Sequence, residues 1–230
     1  MKIGVLGAGG WGSALANLLA GNGHEVIVWS IDEREVAMLK EFHEQRDRLP
    51  GVILNNSIEY TTDASKAVIG QKMIVCAVPS PFVRSTAKSI ADKVSDGQLI
   101  VNVSKGIEES TLKALVEIIE EEIPQAKVAV LSGPSHAEEV GREIPTTVVA
   151  GARDIEIAKT IQPQFSETPL ENIVTIVKRY QDQDTWKKDL IFEKSSFELL
   201  ENILEEAGEL SGRVPYENLV TTEYAKKALP

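Results

Sequence analysis

The sequence predicts a doubly wound parallel α/β sheet, and three observations carry that prediction. The first is the stretch from Lys2 to Gly12. An apolar strand (Ile3, Val5, Leu6) runs into Gly7-Ala8-Gly9-Gly10-Trp11-Gly12 and then into the helical run Ser13-Ala14-Leu15-Ala16-Asn17-Leu18-Leu19-Ala20. The second is Met73-Ile74-Val75-Cys76-Ala77-Val78, apolar throughout and rich in branched residues, as befits a strand buried on both faces. The third is the alternation of strand-like and helix-like segments over residues 1–162, the spacing of βα units. In the opening turn each glycine has a physical role: Gly7 takes the tight bend, Gly9 lets backbone approach a pyrophosphate, and Gly12 lets the helix lie close on the strand. The free N–H groups and positive dipole end of that helix face the anion. A lone G-x-G-x-x-G is a weak signal, but set between a strand and a helix it predicts a dinucleotide-binding, Rossmann-type unit. A purely structural turn in another α/β fold is the competing reading.

The remaining elements follow in order. Gly21-Asn22-Gly23 stops the first helix and His24 leads, as a turn residue, into a second strand at residues 25–29. Asp32 lies twenty residues beyond Gly12. A carboxylate there would bond the adenine-ribose hydroxyls of NAD and repel the 2′-phosphate of NADP. Arg34 could instead pair with that phosphate, and Asp32 could simply cap the helix expected at residues 33–45. Leu49-Pro50-Gly51 breaks the pattern before a short strand at 57–61, and Asp63 caps a brief helix at 64–69. A helix at 82–94 and a strand at 98–103 follow the buried run. Ser110 is expected to start a long amphipathic helix to residue 123, with Leu112, Leu115, Val116 and Ile119 on one face. Strands at 127–131 and 146–150 and a helix at 154–161 complete the parallel unit.

Composition narrows the function classes. A net charge of −11 over 230 residues, with no basic stripe, argues against nucleic acid or an anionic membrane as partner. The single cysteine, Cys76, lies in an apolar run and reads as buried filler in a reducing compartment. The chain enters its first strand without a basic n-region or cleavage site, and no apolar run is long enough to span a bilayer. A cytoplasmic protein without a metal centre is the expectation.

Ligands of doubly wound sheets bind outside the carboxyl ends of the strands. Three segments collect there: the glycine turn, Val103-Ser104-Lys105-Gly106, and Ser132-Gly133-Pro134-Ser135-His136-Ala137. Lys105 is placed to meet a phosphate or a developing alkoxide; an exposed solubility lysine is its bland alternative.

These segments together resemble the bacterial NAD(P)-dependent sn-glycerol-3-phosphate dehydrogenases. The matching pieces are Gly7-Ala8-Gly9-Gly10-Trp11-Gly12, Leu49-Pro50, Thr61-Thr62-Asp63, and Val78-Pro79-Ser80 with Arg84. The most specific are Ser104-Lys105-Gly106-Ile107-Glu108 and the run from Ser132 through Ala137 to Glu138-Glu139. The resemblance covers residues 1–162 and implies NAD or NADP as cofactor. It also implies hydride exchange with dihydroxyacetone phosphate or sn-glycerol 3-phosphate as small-molecule substrate. By that resemblance Gly10, Trp11, Lys105 and Ala137 contact the cofactor, and Lys105, Gly133 and Ser135 bind substrate.

Two departures qualify it. The family usually places His or Arg just after the tryptophan that ends the second strand, whereas this chain reads Trp29-Ser30-Ile31-Asp32. Beyond Gln162, the Gly-x-Glu, Lys-Asn and Ser-Arg-Asn motifs of the family's helical catalytic domain are absent from the sequence. Residues 163–230 are expected to form a short helical appendage instead. Pro163 and Pro169 mark a break; Leu170, Ile173, Val174 and Val177 make one helical face, and Phe197, Leu200, Ile203 and Leu204 make another that ends at Gly208. Residues 214–219 read as a loop, and a final short helix is expected at 221–229. Tyr180, Asp184-Thr185-Trp186-Lys187, the run Glu205-Glu206-Ala207-Gly208-Glu209-Leu210 and Val214-Pro215-Tyr216 resemble the C-terminus of nitrate/sulfonate/taurine-type solute-binding proteins. The chain therefore reads as chimeric, with impaired turnover or as a non-catalytic NAD(P)-binding module, and with a tendency to self-associate through uncovered apolar surface.

Overall fold

The computed structural model describes residues 1–144, 146–165, 191–208, 210, 212–223 and 226. The chain divides into two compact units, Met1–Glu167 and Thr168–Pro230. In the first unit a seven-stranded sheet has the order β3-β2-β1-β4-β5-β6-β7. The strands are β1 (Lys2–Leu6), β2 (Glu25–Trp29), β3 (Glu59–Thr61), β4 (Met73–Cys76), β5 (Leu99–Asn102), β6 (Lys127–Ser132) and β7 (Val149–Ala152). The first six pair in parallel. The order reverses between β1 and β4, which opens a crevice at the carboxyl ends of those two strands.

Helices cover both faces. On one lie α1 (Gly10–Gly21), α2 (Glu33–Phe42), α5 (Ala137–Gly141) and α6 (Ile155–Phe165); on the other lie α3 (Val83–Ile90) and α4 (Leu115–Glu122). The alternation along β1 explains the two layers. Ile3 and Val5 pack with Leu15, Leu19, Val36 and Leu39 on the first face, while Leu6 packs with Val83, Ile90, Leu115 and Ile118 on the second. The predicted buried strand is buried at every position of β4. Burial raises the Cys76 thiol to about 11, so it is neutral at physiological pH. A thiol reagent at pH 7.5 is expected to leave Cys76 unlabelled in the folded chain and to label it once denaturant is added. Rapid labelling without denaturant would contradict this burial.

Several sequence expectations are corrected. The last strand, β7, pairs antiparallel with β6 rather than extending the parallel set, and begins at Val149 rather than residue 146. Helix α2 ends at Phe42, where His43 turns left-handed (φ 48°), rather than running to residue 45. The long helix expected from Ser110 begins only at Leu115. Residues 107–114 fold on themselves instead: Leu112 has φ 59° and is 72% exposed, and the Glu108 N–H donates to the Lys113 carbonyl at 3.0 Å. The Thr111 hydroxyl donates to Glu108 and accepts from the Lys113 N–H, local bonding that competes with helix.

Pro163 does not end α6, which runs through it to Phe165. Ile161 and Phe165, one turn apart, are both buried in the core. Burying a phenyl side chain contributes about 1.5–3 kcal/mol, comparable to the roughly 3 kcal/mol that an interior proline costs. In the second unit, α7 (Lys194–Glu206) buries Phe197 but leaves Leu200 and Ile203 about half exposed. Gly208, at φ 75°, terminates it in the left-handed conformation. The stretch expected as loop at 214–219 contains the short helix α8 (Tyr216–Leu219). Phe192, Phe197 and Tyr216 stack edge to face there. The expected face through Leu170 and Val177, and Tyr180 with Asp184 to Lys187, lie outside the described residues, as does most of the final helix expected near Thr221. No helix among the described residues is long and apolar enough to cross a membrane.

Candidate functional site

The glycine turn, the Lys105 loop and the Ser135 segment meet at the carboxyl end of the sheet, around a cleft of about 760 Å³. That volume is typical of a small-molecule or cofactor site. Its floor is the turn after β1. Gly7 sits at φ 112°, and a Cβ on it would lie 2.8 Å from the Ala77 carbonyl oxygen. A Cβ on Gly12 would lie 2.0 Å from the Gly7 carbonyl oxygen, so the helix can start this close to the strand only with glycine there. Gly9 faces the cleft: the nearest atom to a Cβ on it is the end of the Arg48 side chain, at 3.4 Å. No side chain caps α1 at Gly9, and Gly9, Gly10 and Trp11 at the start of this helix line the cleft, where the first turn of a helix carries N–H groups without intrahelical partners.

Lys105 closes one wall. Its Nζ donates to the Ser135 carbonyl at 2.7 Å, with the Gly133 carbonyl at 3.3 Å and Ser135 Oγ at 3.4 Å. It also stands 5.8 Å from the centre of the Trp11 ring, within cation–π range. Trp11 is itself held by its indole N–H, which donates to the Val103 carbonyl at 3.1 Å. Ser135 is buried and Ala137 begins α5, which packs on α1. Gly133 accepts from Lys105 behind Ser135, at a place where a Cβ would meet the Thr147 carbonyl at 2.6 Å.

Asp32 lies at the far end of the cleft. One carboxylate oxygen accepts from the Arg34 N–H at 2.8 Å, capping α2, while the residue also lines the cleft. The cap is therefore formed, and it leaves the residue within the site. Among the described residues no cluster of His, Cys, Asp and Glu is placed to hold a metal ion. A hollow of about 790 Å³ lies at the opposite end of the sheet, around Lys2, His24 and Lys66. The start of α1 faces away from it, and ligands of parallel sheets bind at the carboxyl ends.

A family model described as the NAD-dependent glycerol-3-phosphate dehydrogenase N-terminus matches residues 2–158. The chain belongs to the NAD-dependent glycerol-3-phosphate dehydrogenase family. The glycerol-3-phosphate dehydrogenase (NAD(P)+) of Agathobacter rectalis is 55% identical over 164 residues, which are 71% of this chain and 49% of that protein. The corresponding protein of Fusobacterium nucleatum is 48% identical over 167 residues, 72% of this chain and 50% of that one. The crystal structure of glycerol-3-phosphate dehydrogenase from Coxiella burnetii superposes with a TM-score of 0.69 at 27% identity, covering 73% of this chain and 51% of that one. The chain thus spans about half the length of the curated relatives it matches.

Within this glycerol-3-phosphate dehydrogenase domain the structure adds residues that the sequence reading did not single out. Gln45 is fully buried, and its side-chain amide donates to the Ala8 carbonyl and to Glu35, both at 2.7 Å. The Ser30 hydroxyl donates to the other Glu35 oxygen at 2.5 Å. Glu35 and Gln45 thus tie α2 and the following loop to the glycine turn. Arg48 lies over the turn, with its carbonyl 2.5 Å from where a Cβ on Gly10 would be and its guanidinium 3.9 Å from Glu35. Phe82, 58% exposed, lines the cleft after Pro79-Ser80. The only local signal for any of these was Leu49-Pro50, immediately after Arg48.

Proposed function

We propose that the cleft binds NAD(H), with its pyrophosphate at Gly9, Gly10 and the start of α1, its adenosine ribose beside Asp32, and its nicotinamide end toward Trp11, Lys105 and Ala137. Dihydroxyacetone phosphate, or sn-glycerol 3-phosphate in reverse, is the substrate in this reading, held by Lys105, Gly133 and Ser135. The observation that carries it is the Lys105 ammonium, anchored 2.7 Å from the Ser135 carbonyl and set beside Trp11 at the edge of the glycine turn. An open Gly9 and an uncapped helix start fit a pyrophosphate. The nicotinamide supplies the hydride when bound. Lys105 supplies the positive charge that a carbonyl oxygen needs as it becomes an alkoxide, and Trp11 fixes that charge by its tie to Val103.

Asp32 and Glu35 put two carboxylates at the adenosine end, which favours NAD over NADP by repelling a 2′-phosphate. NADH is expected to bind at least about tenfold more tightly than NADPH in calorimetric titrations, a difference of about 1.4 kcal/mol. Equal affinities would remove the ribose role from Asp32. In this reading residues 163–230, which carry none of the helical-domain motifs, supply no catalytic group, and binding without efficient turnover is the form proposed for these 230 residues. Losing a general acid or base alone costs about 10²–10⁴ in rate. Family-like rates of NADH oxidation with dihydroxyacetone phosphate would refute the impairment, and absence of NADH binding would refute the cofactor assignment. The setting is cytoplasmic in this reading, consistent with one buried thiol, and self-association is its expected oligomeric tendency. The likeness of the tail to solute-binding proteins rests on short sequence segments and gives the tail no role here.

A further inference from the structure

The loop that presents Lys105 has no core of its own. No residue from 104 to 114 is buried, and its two large apolar side chains, Ile107 and Leu112, are 54% and 72% exposed. Side-chain burial therefore does not hold the loop, and polar attachments must. At its root the Ser104 hydroxyl bonds the Val78 carbonyl at 2.6 Å and the Asn102 amide donates to the Ser104 carbonyl at 3.1 Å. Beyond Lys105 the chain passes through Gly106, at φ 113°, where glycine offers no resistance to bending. It is caught again at Glu108. There Arg84, on α3, grips both carboxylate oxygens, Nε to one at 2.6 Å and Nη2 to the other at 2.8 Å. The same guanidinium reaches α4, at Glu122 (2.7 Å) and Glu121 (3.0 Å), and Lys113 pairs with Glu121 from the loop itself.

We infer that Arg84 is a positioning residue for Lys105: by clamping Glu108 to α3 and α4 it holds the loop so that the Lys105 ammonium stays against Ser135 in the cleft. Isolated surface ion pairs contribute little, but a bidentate arginine shared among three carboxylates is the geometry in which such pairs matter. The Arg84 guanidinium holds the Glu108 carboxyl down from 4.5 to about 2. Its folded value lies below its unfolded one, so the clamp is complete above about pH 4.5 and is lost only as pH falls toward 2. The inference rests on the cofactor reading of the cleft for its functional meaning, and its test does not.

The test compares the full chain with Arg84→Ala, Arg84→Lys and Glu108→Gln. The rate of Lys105 acetylation is measured by peptide mass spectrometry against exposed Lys40, alongside melting temperature and NADH affinity. Release of the clamp should speed Lys105 acetylation by about fivefold and weaken NADH binding by a similar factor, the size of one lost hydrogen bond. Glu108→Gln should act like Arg84→Ala, and combining the two should add little. Lysine, a point charge without the planar fork, should restore the arrangement only partly. If the variants melt earlier while Lys105 keeps its wild-type reactivity in folded protein, Arg84 is only a structural tie and the inference fails. If the wild-type chain binds no NADH, the cofactor reading fails, while the acetylation rates still decide the clamp. Should Arg84→Ala not fold, Glu108→Gln and Arg84→Lys carry the comparison.

Discussion

Replacing Gly12 with alanine is expected to lower the unfolding midpoint of the N-terminal unit by about 2–12 °C and to abolish NADH binding. The added Cβ would fall 2.0 Å from the Gly7 carbonyl oxygen and 3.0 Å from its carbon. Both are backbone atoms, so no side chain can swing aside. Either the turn after β1 or the first turn of α1 must shift, and that shift separates the helix start from Gly9. Overpacking of this kind costs about 1–3 kcal/mol, occasionally more, and in a domain of this size each kcal/mol moves the midpoint by about 2–4 °C. Gly21, in the last turn of the same helix, is the control. A Cβ there meets nothing within 4 Å, and alanine should be neutral or stabilise by about 0.5–1 kcal/mol. Circular-dichroism melting and calorimetry of the two variants settle the matter; equal behaviour of both would remove close approach as the reason for glycine at position 12.

The second large effect is expected at Lys105. Its ammonium is held by two carbonyls and a hydroxyl at the cleft wall, so Lys105→Met deletes the positive charge while keeping much of the aliphatic stem. A hydrogen bond to a charged group contributes about 1.5–3 kcal/mol, so NADH affinity should fall by about one to two powers of ten. Because Trp11 keeps its own bond to Val103, the melting temperature should change little. Calorimetric titration beside thermal melting separates the two quantities. Undiminished NADH affinity would restrict Lys105 to substrate contact, and a large loss of stability would make it a structural residue.

The glycine turn, the strand at Met73–Cys76 and the Asp63 cap, whose carboxylate accepts from the Ser65 N–H at 2.9 Å, were legible from residues close in sequence. Each is a local demand. A positive φ needs glycine, a strand covered on both faces needs a continuous apolar run, and a helical turn needs an acceptor for its first N–H groups. Lys105 was legible because it follows a buried strand directly, and the polarity of a parallel sheet puts that point beside the glycine turn. The helix expected from Ser110 failed for the opposite reason. Its apolar spacing was real, but Glu108, Thr111 and Lys113 had other partners, and Leu112 ended on the surface.

The opening glycine turn, the apolar run at Met73–Cys76 and the βα alternation over residues 1–162 together predicted the sheet type, because periodicity and glycine stereochemistry are local properties of the chain. The Lys105 and Ser135 segments, set beside the glycine turn, narrowed it to one family. Folding in three dimensions decided the rest. The antiparallel turn of β7, the Gln45 bridge to Ala8 across 37 residues and the Arg84 grip on Glu108 across 24 have no local signature. Side-chain periodicity specifies which face a residue occupies, not which partner waits there, and a polar partner is chosen only when packing has brought two distant stretches together.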